Sequence, residues 1–152
     1  MIEDHVEAPE EELKRAEHLI FVSLKITRTC GIMKNAIRRL IAAYELAFLE
    51  LLQILKDKGK IDEIPESNKE RAQMAKEFID APQFSKYMTH YNLLKKIEMA
   101  ECEYLSEFRK DVTLKTIVGK PIEVKIDTLY QYLEITKEGV KFIKTWISQN
   151  IR

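Results

Sequence analysis

From Pro9 to Lys58 the chain runs fifty residues with no proline beyond the first and a single glycine, Gly31. Apolar residues inside that block recur at helical spacing, so it can fold only as long helices packed against each other. Pro9 suits a first helical turn, where its missing N–H has no partner to lose. Glu10, Glu11 and Glu12 complement the positive end of the helix dipole. The first helix then carries Leu13, Ala16, Ile20 and Leu24 on one stripe, widened by Leu19, Val22 and Ile26. The β-branched and aromatic run from Leu19 to Ile26 also admits a strand, but the helix start upstream favours the helix.

Helical signals weaken from Thr27 to Gly31, which reads as a tight turn between antiparallel helices, with a kinked single helix as the alternative. The second helix places Met33, Ile37, Leu40, Tyr44, Phe48, Leu51 and Leu55 inward and stops at Gly59, a left-handed cap. Its apolar stretch from Leu40 to Leu55 includes Glu45, Glu50 and Gln53 and is too short for a membrane span.

Beyond a loop pinned by Pro65, a shorter helix spans about Ser67 to Ile79, broken by Asp80-Ala81-Pro82. A fourth helix, roughly Gln83 to Arg109, presents Phe84, Tyr87, Tyr91, Leu94, Ile97, Tyr104, Leu105 and Phe108. After Asp111 the period changes to two, and a β-hairpin is expected around Gly119-Lys120-Pro121. Its register sets Val118 opposite Ile122, Thr116 opposite Val124 and Leu114 opposite Ile126. Asp127 then caps a last helix, Thr128 to about Gln149, in which Gly139 marks a close approach or a bend. The fold class is mainly α: a single helical domain over 1–152, a bundle of about five helices with one β-hairpin before the last. Residues 1–8 read as a flexible acidic arm. A lone two-stranded ribbon is marginal in water, so the hairpin must lie on its own helices or pair with another sheet edge. The same ribbon of a second copy in a two-fold dimer would supply such an edge.

Charge narrows the partners. Twenty-five bases balance twenty-five acids, so no global field draws the chain to nucleic acid or anionic lipid. The acidic N-terminal stretch does not read as a signal or transit peptide, and a cytoplasmic, non-membrane protein is expected. Cys30 and Cys102, far apart in the sequence, read as two reduced thiols.

No motif declares a reaction. The histidines and cysteines show no metal-binding spacing, so neither metal nor cofactor is expected. Serine elbow, P-loop and dinucleotide fingerprint are all missing from the sequence. Cys30 lies beside Arg28 and near Lys34, a setting that lowers a thiol pKa, though a small residue filling a turn explains it as well. An enzymatic alternative would need Tyr87, His90, Tyr91 and the carboxylates Glu98, Glu101, Glu103 and Glu107 to converge in a cleft. The least random charge feature is the run from residue 18 to 44, which holds Lys25, Arg28, Lys34, Arg38 and Arg39 and no acid. Gathered at one end of a helical hairpin, these five form a candidate anion or nucleic-acid site, or a surface for an acidic partner.

The run Ala16-Glu17-His18-Leu19-Ile20, the basic turn after it and the Leu40 to Leu55 helix resemble small helical proteins of the HEPN type. The chain also resembles uncharacterised archaeal families of that general shape, through Phe108 to Tyr132. HEPN nucleases carry an Arg followed four to six residues later by His on a late helix. Here Arg15 and His18 are too close and lie in the first helix, so the resemblance implies a helical bundle and no functional residues. The expected function is a cytosolic, non-catalytic helical interaction module that forms a homodimer. The alternative is an RNA- or DNA-associated protein acting through the five bases.

Overall fold

The computed structural model describes residues 8–102, 107–110, 112–116 and 121–151. Six α-helical segments and a small antiparallel sheet follow one another in chain order. They are α1 (Pro9–His18), α2 (Leu24–Ile26), α3 (Cys30–Asp57), α4 (Asn68–Phe78), α5 (Phe84–Glu98), β1 (Glu101–Cys102), β2 (Leu114–Lys115), β3 (Glu123–Val124) and α6 (Ile126–Asn150). The chain is thus mainly α, with the sheet before the last helix.

The 28-residue α3 is the spine, packing against α1, α4, α5 and α6. That explains its composition: Met33, Ala36, Ile37, Leu40, Ala43, Tyr44, Ala47, Leu51 and Leu52 are fully buried because neighbours cover several of its faces. Each such Leu or Ile is worth about 1.5–3 kcal/mol relative to exposure. Thr29 starts α3, its side chain accepting from the Ile32 N–H at 3.3 Å. The chain leaves α3 through Gly59 at φ 73°, the left-handed cap that the sequence suggests.

Between α1 and α2 lies a π-helical turn, Leu19–Ser23. It keeps Ile20 and Leu24 fully buried while turning Phe21, Val22 and Ile26 outward. The expected stripe is therefore right for Leu13, Ala16, Ile20 and Leu24 and too wide at Val22 and Ile26. The reversal occupies Thr27 to Thr29, and Gly31 lies inside α3 rather than ending a helix.

Three expectations change in the second half. The fourth helix ends at Glu98, not Arg109: Met99 and Ala100 close its last turn and Glu101–Cys102 becomes β1. Tertiary pairing overrides a helical pattern here, and Glu103, Tyr104 and Leu105 lie outside the described residues. The hairpin finds its further sheet edge within its own chain, because β1–β2–β3 form a three-stranded sheet. Its register is two residues shorter than expected. Leu114 opposes Val124, Lys115 opposes Glu123, and the Thr116 N–H donates to the Ile122 carbonyl at 3.1 Å. A two-residue shift leaves every side chain on its face, so Leu114 and Val124 still meet in the core. The cause is Ile126, the strand residue expected opposite Leu114, which instead opens α6. Asp127 accordingly sits in the first turn of α6 rather than capping it, and Thr128 Oγ1 accepts from the Lys125 N–H at 3.1 Å. Val118, expected opposite Ile122, and the turn residues Gly119 and Lys120 lie outside the described residues, as do residues 1–7 of the acidic arm.

Gly139 marks a close approach. A Cβ there would lie 2.7 Å from Tyr44 Cε1 and 3.0 Å from both Tyr44 Oη and Tyr87 Cδ1. Among the described residues, no helix is long and apolar enough to cross a membrane.

Candidate functional site

The first surprise is covalent. Cys30 and Cys102, expected as separate reduced thiols, are joined in a disulfide with their Cα atoms 5.6 Å apart. Cys30 opens α3 and Cys102 ends β1, so the bond fastens the spine's N-terminus to the sheet. The sequence separation of 72 hides this pairing from any reading by spacing.

Glu107 completes the constellation. Its Oε1 accepts the Cys30 backbone N–H at 3.1 Å and lies 3.5 Å from Cys102 Sγ. One donor atom from each of Cys30, Cys102 and Glu107 lies within 4.8 Å of the others. Cys30 is buried, while Cys102 and Glu107 are half-buried. A surface depression of about 500 Å³ opens onto the three, with Lys34, Met99 and Glu101 on its walls. The neighbouring chain is held close, since the Phe108 N–H donates to the Arg28 carbonyl at 2.6 Å. Phe108 itself adopts φ 67°, a left-handed backbone that a residue with a Cβ rarely takes.

The five expected bases do not act as one group. Arg39 turns to α1, where its guanidinium lies 3.1 Å from the Glu12 carboxylate. Arg15 holds the same carboxylate at 2.9 Å, and Glu12 is buried between them. Arg38 faces Glu98 at the end of α5, at 3.9 Å. Lys34 stands beside the disulfide. Lys25 and Arg28 share a depression of about 240 Å³ with Lys110, Asp127 and Tyr130. Among the described residues, Lys25, Arg28, Lys34 and Lys110 have no carboxylate within 4.0 Å. Lys110 was not legible as a member, because it follows a stretch read as helix.

The tyrosine–histidine cleft of the enzymatic alternative does not assemble. His90 points into the core, where the Tyr44 hydroxyl meets its Nδ1 at 2.9 Å and the Tyr132 ring lies edge-on. Its Nε2 is buried without a hydrogen-bond partner among the described residues. Burial, and secondarily the Lys86 charge, push the His90 pKa down to about 4. Tyr91 faces another way, donating to Glu45 Oε2 at 2.7 Å. Burial raises its pKa, and the Glu45 carboxylate adds to the effect. Tyr87 packs on Phe142. Glu98 pairs with Arg38, Glu101 and Glu107 border the disulfide, and Glu103 lies outside the described residues.

Compared with family models, with curated proteins and with solved structures, the chain matches none.

Proposed function

We propose that this chain is a helical interaction module that works as a homodimer, meeting its second copy through the bundle end around the disulfide. The supporting observation is the exposure there of large apolar side chains: Ile26 at 80%, Met99 at 84% and Phe108 at 68%. Met99 lines the depression beside the Cys30–Cys102 bond, Phe108 follows Glu107 there, and Ile26 lies four residues before Cys30 in the chain. Phe108 argues most strongly. Its side chain contributes little to its own fold, and its left-handed backbone costs roughly 1–2 kcal/mol. An exposed aromatic side chain on a strained backbone points to a surface role.

The test is light scattering across a concentration series. The chain should dimerise, and Phe108→Gly should weaken the dimer while leaving the monomer's thermal stability unchanged or higher, because glycine accepts that backbone. A strictly monomeric parent chain, or a Phe108→Gly chain that dimerises equally well, sinks the proposal.

A second reading, association with single-stranded nucleic acid, is favoured by the convergence of Lys25, Arg28 and Lys110 around Tyr130. Unpaired bases beside an aromatic ring suit phosphate and base stacking together. Anisotropy of a labelled oligonucleotide should then show affinity falling steeply with salt. Lys25→Glu with Arg28→Glu should abolish binding, and Arg38→Glu, whose side chain already faces Glu98, should leave it nearly intact. Equal binding by the double variant would exclude this reading.

A further inference from the structure

We propose that, once the disulfide is reduced, Cys30, Cys102 and Glu107 form a site for a thiophilic divalent cation, zinc above all. The site lies at the same bundle end as the proposed dimer face, and its test reads metal binding rather than oligomeric state.

Donor geometry comes first. Glu107 Oε1 lies 3.5 Å from Cys102 Sγ, a spacing that fits an oxygen and a sulfur donor on one tetrahedral ion, and reduction frees the two bonded sulfurs to part around it. Two thiolates with one carboxylate form a mixed soft and hard set suited to Zn²⁺ rather than to Mg²⁺ or Ca²⁺. Three protein donors leave the fourth position to water, and the adjoining depression gives water access.

Positioning comes second. Glu107 is not a freely swinging surface acid, because the Cys30 N–H holds its Oε1 at 3.1 Å and brings it 3.5 Å from Cys102 Sγ. That N–H lies in the first turn of α3, so the start of the spine fixes where the carboxylate stands.

Charge comes third. Lys34 borders the depression, yet no lysine or arginine among the described residues lies within ion-pair distance of Glu107. Reduction therefore adds two ionisable thiols beside a carboxylate with no cation partner among the described residues.

The steps balance. Two small-molecule thiols reduce the disulfide, yielding their own disulfide and two protein thiols, as the two electrons and two protons pass to Cys30 and Cys102. The metal ion then displaces both thiol protons to solvent and forms two sulfur–metal bonds and one oxygen–metal bond.

The test uses the whole chain, reduced under anaerobic conditions and titrated with Co²⁺, then with Zn²⁺. The expected result is one Co²⁺ per chain, a thiolate-to-cobalt charge-transfer band, and loss of that band as Zn²⁺ displaces cobalt. The oxidised chain should give no band. Cys102→Ser should abolish it or shift it to a one-thiolate spectrum. Glu107→Gln keeps both cysteines and should weaken Co²⁺ binding about tenfold or more, since even the loss of an outer-sphere partner costs about 10–100-fold. Circular dichroism of each reduced chain separates loss of a donor from loss of fold. The absence of a charge-transfer band in the reduced parent chain overturns the site. So does binding by Glu107→Gln equal to the parent, which would mean that only the two thiols of a loosened chain hold the metal.

Discussion

At the scale of single residues, His90 and Gly139 carry the sharpest consequences because both touch Tyr44. His90 is buried neutral, its pKa depressed from 6.5 to about 4. Below pH 6.5 the unfolded chain takes up a proton at this site that the folded chain refuses, so folding stability is complete above that pH. It falls as the pH drops towards 4 and then levels off. The expected loss is about 2 kcal/mol near pH ~5, read from urea midpoints across the range, with a flatter profile for His90→Asn. Gly139→Ala ought to help a helix by about 1 kcal/mol from propensity alone. The added methyl would instead meet the Tyr44 ring at 2.7 Å. Overpacking of that kind costs about 1–3 kcal/mol, so denaturant unfolding should show a net loss. The sequence already marks Gly139 as a point of close approach or a bend, since glycine inside an amphipathic helix is otherwise wasteful. It gives no hint of which ring arrives there.

At the scale of elements, the join between α1 and α3 rests on Glu12, whose carboxylate is buried between Arg15 and Arg39. Arg39→Ala removes one partner of a buried charge and should cost about 3–5 kcal/mol, less whatever Arg15 recovers. Arg38→Ala, one residue away and facing Glu98 in the open, should change stability by less than about 1 kcal/mol. Thermal melts of the two variants side by side test that contrast. Two adjacent arginines in one acid-free run look alike in the sequence because their partners lie on other elements. The same limit hides the end of α5. The spacing of Tyr104, Leu105 and Phe108 continues the helical pattern of α5 without glycine or proline, so nothing local announces a stop at Glu98. What ends the helix is distant: the pairing of β1 with β2 and the bond from Cys102 to Cys30. By contrast, the starts at Pro9 and Ser67 and the stop at Gly59 are legible, because each is enforced by a residue's own backbone or side-chain chemistry. The candidate site was the least legible part, its three members being brought together only by tertiary folding.

For the molecule as a whole, the disulfide is the largest single constraint on the unfolded chain. Closing a loop of 72 residues removes chain entropy worth about 4 kcal/mol in the loop-closure model. Reduction should therefore lower the melting temperature by roughly 10 °C for a chain of this size, and calorimetry with and without a thiol reductant reads it directly. The bond also changes the connectivity of the chain. Residues 30–102 form a closed ring, from which the N-terminal helix and the β2-to-α6 segment extend as two tails. The loop from 58 to 67, between α3 and α4, lies on that ring and is mostly exposed. A protease nick there would open the ring without dividing the molecule, leaving one band on a non-reducing gel and two once the sulfurs are parted.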